Sequence, residues 1–226
     1  MDGTIIELIA ANIAFVGTHF AMSHPLRASM VRAFGDLGFQ IVYSLVSLAT
    51  LGWVYFAFKA APPADLGGSG EIGWIIATAL TLPAMVLFAG SVLGNPALPT
   101  PMAQDQARSK PRGALVVTRH PMMWGFALWA ASHMILFWST RTMVTAFAIG
   151  FLALVGAHIQ DRKKRVLMGE AWSQWESNTS YWPRLGAFAK VGAVPLVLGT
   201  VLFAGLSWLH MPLGGIPAGI WRWIAV

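Results

Sequence analysis

Cysteine is absent from this 226-residue chain, and charge is scarce, with only 11% of residues Asp, Glu, Lys or Arg. Without cysteine there is no disulfide, iron–sulfur cluster, thiolate metal ligand or cysteine nucleophile. So little charge excludes an ordinary soluble domain, in which about a quarter of residues are charged. Acidic residues are the scarcer sign, 9 against 15 basic, for a formal net charge of +6. The basic residues flank apolar runs instead of forming a stripe, so no nucleic-acid partner is expected. They read as topology signals and as anchors to anionic membrane lipid. The positive n-region of a secretory signal is also missing: Asp2 and Glu7 are the first charges, with no Lys or Arg ahead of the first apolar run. That run is expected to stay as a membrane helix.

What the chain has in abundance is apolar surface: 56% hydrophobic residues, with 11 Trp and 13 Phe. Several runs approach the roughly 20 residues that a bilayer-spanning helix needs. The expected fold is all-α, a polytopic bundle of about six transmembrane helices forming one domain over residues 1–226. The spans are drawn at Thr4 to Met22, Leu37 to Phe58, Ile72 to Leu93, Pro121 to Trp138, Thr142 to Ile159 and Ala187 to Leu209. Pro83 is a candidate kink in the third. Asp65 to Gly70 is a turn-rich link, and Pro212, Gly214, Gly215 and Pro217 break the sixth span.

The links after spans one, three and five carry 12 of the 15 basic residues, leaving Lys59, Arg141 and Arg222 on the other side. The positive-inside rule then puts those links in the cytoplasm and both termini outside, as expected of a bacterial inner-membrane protein with a periplasmic N-terminus. Gly94 to His120, with Pro96, Pro99, Pro101 and Pro111, is long enough to be either a functional loop or a flexible tether. Asp161 to Arg184, with Trp172, Trp175, Tyr181 and Trp182, reads as an amphipathic segment on the cytoplasmic face. Trp221-Arg222-Trp223 reads as an interfacial anchor.

Thr118-Arg119-His120-Pro121 puts three polar residues where a buried helix should begin, with proline at its first position. A second histidine, His133, lies deep along that helix, and an ionisable group at such depth is a functional candidate. His120 and His133 are 13 residues apart, about 20 Å along a helix. They cannot share a metal. His19 and His24 are also wrongly spaced, so any metal site must take ligands from different helices. His24 reads as a solvated or lipid-facing residue, His158 as a cation at a helix end, and His210 as interfacial or a ligand. For His19 and His133 two readings stand: ligand or satisfied core histidine. By depth, His133 pairs with His210, and His19 with His120 or His158. Arg119 and His120 together would suit an anionic head group or substrate. Gly125, Phe126, Trp129 and Ala130 beside His133 suit either a flat macrocycle or plain helix packing.

Three blocks resemble the NnrU family, which includes the plant 15-cis-ζ-carotene isomerase. They are Phe15-Val16-Gly17-Thr18-His19 continuing through Leu26-Arg27 and Tyr43 to Leu48, then Thr118-Arg119-His120-Pro121 through Gly125 to Leu128-Trp129-Ala130-Ala131-Ser132-His133, and Asp161-Arg162-Lys163 with Gly169, Trp172, Thr179-Ser180 and Pro183. The resemblance implies a b-type haem held by His19 and His133, with Trp129, Gly125, Arg119 and His120 around it. It also implies redox-gated cis–trans isomerisation of a lipophilic polyene, or a role in nitric-oxide and nitrite metabolism. Where the plant enzyme has a cysteine this chain has Ala130, which cannot ligate iron. Arg119-His120-Pro121 and Gly169 to Trp175 also resemble the isoprenylcysteine carboxyl methyltransferases, in which Arg119 and His120 would bind S-adenosylmethionine. A non-catalytic membrane assembly subunit is the third reading.

Overall fold

The computed structural model describes residues 2–63 and 66–224; Asp65 of the turn-rich link lies outside them. Helix α1 (Gly3–Ser23) starts where the Asp2 carboxylate accepts the Thr4 amide at 2.9 Å, satisfying one of the free N–H groups of a helix start. Helix α2 (Arg27–Ala60) begins ten residues before the expected span and is broken at Gly35, whose φ of +72° suits glycine. Helix α3 (Gly70–Gly90) accommodates Pro83 within its length. Helix α5 (Pro121–Leu136) follows the short α4 (Ala103–Arg108), and α6 (Thr140–Met168) runs on through the charged residues that were expected to end it. Helices α7 (Glu170–Asn178), α8 (Ala193–Gly214) and α9 (Trp221–Ile224) complete the chain. Pro212 is carried inside α8, which stops only at Gly215 in the left-handed conformation.

Among the described residues, five helices (α1, α2, α3, α6 and α8) are long and apolar enough to cross a membrane. The remaining expected span, the fourth, is α5, whose 16 residues give about 24 Å at 1.5 Å per residue. It still runs from one end of the bundle to the other. The Arg119 amide at its start bonds the Ser180 carbonyl at the basic end, and the Leu136 carbonyl accepts the Ser69 amide at the opposite end. Packed between α3 and α6, α5 ends inside protein and does not need the length to reach head groups. The order across the bundle is α8, α3, α5, α6, α1, α2, so α2 and α8 form the flanks and present most of their apolar side chains outward.

At the basic end the proline-rich link is an ordered cap. Ala97, Ala107 and Leu115 pack on Trp172 and Trp175, which are 0% and 1% exposed. The two tryptophans therefore face protein, not the membrane interface, because the link supplies an apolar surface to bury them. The Lys164 ammonium donates to the Pro96 carbonyl at 2.8 Å and ties the cap to α6. At the opposite end, Arg222 of α9 pairs with Glu71 and lies over the Trp74 ring, while Trp221 donates to the Ala204 carbonyl. The expected anchor thus clamps α8 to α3.

Candidate functional site

Two polar constellations occupy opposite ends of the bundle. Near the end away from the basic links, a cavity of about 110 Å³ lies between α3, α5 and α8, with Trp74, Thr78, Trp129, His133, Phe203 and His210 in its wall. The His133 and His210 ring centroids are 6.4 Å apart, and the Trp129 ring lies 4.1 Å from that of His133. His133 Nδ1 is 2.8 Å from the Trp129 carbonyl, and His210 Nδ1 is 2.8 Å from the Leu206 carbonyl. A carbonyl oxygen only accepts, so each Nδ1 carries its proton and each Nε2 keeps a lone pair. This is the tautomer that a carbonyl bonded to the other ring nitrogen imposes on metal-ligating histidines. The Thr78 hydroxyl in the same wall is buried and without a protein partner among the described residues.

His19 has the same local device, with Nδ1 at 2.7 Å from the Phe15 carbonyl, but different surroundings. Its ring meets Tyr43 of α2 at 5.4 Å, and it lies one turn from the basic end of α1, whereas His133 lies one turn from the other end of α5. The structure therefore does not bring His19 and His133 together. It brings His133 to His210, the pairing that depth along the helices favours.

Gly125, expected beside a cofactor, serves helix packing: a Cβ there would sit 2.9 Å from the Ala84 carbonyl oxygen of α3. Ala130 is buried and faces Gly150 of α6, whose own added Cβ would lie 3.2 Å from it. Trp129 is where a cofactor would meet it.

The second constellation is an ion network at the basic end. Asp161 of α6 accepts from Arg119 Nε at 3.0 and 3.1 Å and from Nη2 at 2.7 Å. It also accepts from His120 Nε2 at 2.8 Å, which makes Nδ1 the ring nitrogen left buried without a partner among the described residues. Glu176 holds Arg165 at 2.7 and 2.8 Å and approaches Arg119 at 3.6 Å. Backbone bonds clamp the segment: Thr118 Oγ1 and Trp124 Nε1 both donate to the Tyr181 carbonyl, and the Arg184 amide donates to the Val117 carbonyl. Burial, and then the Asp161 charge, push the Tyr181 phenol above its ordinary pKa. Arg119 and His120 are thus engaged by Asp161, a partner some forty residues on that no local spacing could reveal. His158 is exposed and lines an adjoining cavity.

Apolar helices alternating in direction, with basic links gathered at one end, define a polytopic helical membrane protein. The model of the NnrU protein family matches residues 7–218, and the chain belongs to that family. No curated protein and no solved structure matches it.

Proposed function

We propose that this NnrU-family chain is an integral-membrane haem b protein of the inner membrane, with both termini periplasmic. His133 and His210 would hold its iron. The observation that carries this reading is the approach of the two rings to 6.4 Å, each held through Nδ1 by a backbone carbonyl of its own helix. Histidine nitrogens bind metals at about 2.0–2.1 Å, so two rings at this separation are near enough to share one ion. The Trp129 ring supplies an aromatic wall beside His133, and most of the remaining lining is apolar.

The donors fit; the space fits only with a displacement. A cavity of 110 Å³ is below the roughly 300–1,000 Å³ of small-molecule sites. The displacement would have to part α8 from α3, two helices that Trp221 and Arg222 clamp together. Haem would supply one-electron chemistry and, with one histidine released, an open coordination position. The chain's own part is to fix both imidazole tautomers through the Trp129 and Leu206 carbonyls. Cis–trans isomerisation of a polyene and nitrogen-oxide chemistry are the reactions that family membership suggests.

The test is the absorbance spectrum, oxidised and then reduced, of protein purified after expression with ample haem. A Soret band is expected in the wild type and in His19→Ala, weakened and shifted in His210→Ala, and lost in His133→Ala. A wild-type protein without the band would refute the reading, and loss of the band in His19→Ala would move the second ligand to α1.

A further inference from the structure

A second cavity, of about 510 Å³, lies at the basic end, outside the histidine pair. That volume falls within the roughly 300–1,000 Å³ of small-molecule sites. Four of the residues lining it, Leu154, His158, Asp161 and Arg165, follow one another at helical spacing along α6. The same face continues towards the membrane centre through Phe151 and Phe147, which are 45% and 63% exposed. One face of a single helix therefore passes from hydrocarbon-facing rings to an imidazole and then to a guanidinium. The 29 residues of α6 extend about 43 Å, against a hydrocarbon core of about 30 Å. The cavity thus sits where the helix leaves the acyl region for the head groups.

The polar side of the cavity is built for an anion. Arg119 and Arg165 both line it, and each is oriented by a carboxylate through Nε and Nη2. Among the described residues neither Nη1 has a hydrogen-bond partner, so each guanidinium keeps donors beyond those its carboxylate uses. His158 and neighbouring Arg162 are exposed and without a hydrogen-bond or ion-pair partner among the described residues. Asp161, the acid in the wall, is already closed by Arg119 and His120. Trp182, 68% exposed, and Leu154 form the apolar lip. A planar fork fixed at one end and free at the other suits a phosphate, which accepts from several donors at once.

We propose that this cavity binds the phosphate head group of an anionic lipid whose hydrocarbon chain lies along the Leu154–Phe151–Phe147 face of α6. Arg165 and His158 contact the phosphate, with Arg119 behind them.

Native mass spectrometry of the purified full-length protein in detergent tests this, with phosphatidic acid and phosphatidylcholine added at equal concentration. Phosphatidic acid is expected to be retained preferentially. Arg165→Gln and His158→Ala should each lower that retention about tenfold, the weight of a charge-assisted hydrogen bond. Lys110→Gln, which removes an exposed charge at the same end, should leave it unchanged. His158 has no partner to lose, so its variant keeps the reading testable if Arg165→Gln folds poorly. Equal retention of the two lipids overturns the proposal. So does an equal loss in Lys110→Gln, which would mark bulk attraction between a basic surface and acidic lipid. Displacement of the lipid by an equal concentration of glycerol 3-phosphate would assign the site to a soluble phosphate and overturn the lipid chain on α6.

Discussion

Asp161 is the residue on which the basic end depends. Its side chain is 5% exposed, neutralises Arg119 at 11% and accepts from His120 at 0%. Removing the carboxylate leaves a buried guanidinium with only Glu176, at 3.6 Å, as counter-ion, and breaking a buried pair costs about 3–5 kcal/mol. Asp161→Ala is expected to lower the unfolding midpoint in detergent markedly. Arg119→Lys should recover only part of the wild-type stability, because an ammonium cannot reproduce the two-pronged contact. The sequence marks Arg119-His120-Pro121 as a polar start to a buried helix, and that is where α5 begins. What the motif cannot show is its partner, since Asp161 lies on another helix and reaches it only through folding. The histidines follow the same logic. Spacing excludes a site along one helix, and depth pairs His133 with His210, whereas the resemblance pairs it with His19.

Helix contacts here are set by where backbones approach. A Cβ on Gly199 of α8 would lie 2.4 Å from the Val86 Cα of α3, while one on Gly205, two turns later, meets nothing within 4 Å. Gly199→Leu is therefore expected to destabilise by about 1–3 kcal/mol or more through overpacking. Gly205→Leu should lie close to the wild type, and thermal unfolding of the two variants side by side reads the difference. Apolar run lengths indicate the number of membrane helices and most of their bounds, since hydrocarbon thickness fixes both. They misjudge α6, which continues through Asp161 to Met168 because Asp161 is paired and Lys164 is bonded inside the protein. They also misplace Trp172 and Trp175. Amphipathic spacing shows that a helix has an apolar face, but not whether lipid or protein covers it.

At the scale of the whole molecule the helices lie side by side, with flanks α2 and α8 facing outward and the basic links gathered at one end. The absence of cysteine makes the proposed orientation simple to read. Ser109→Cys, at an exposed site in the cap, should react with a membrane-impermeant maleimide only from the cytoplasmic side, and Gly67→Cys only from the periplasmic side. Labelling of both from one side would overturn the two-sided arrangement. The cap also imposes an order in time. Ala107 leaves the ribosome 65 residues before Trp172, the side chain that covers it. At about 5–20 residues per second that gap is roughly 3–13 s. For that interval the proline-rich link waits beside the membrane with its apolar side uncovered, and the basic end closes only after α6 has been inserted.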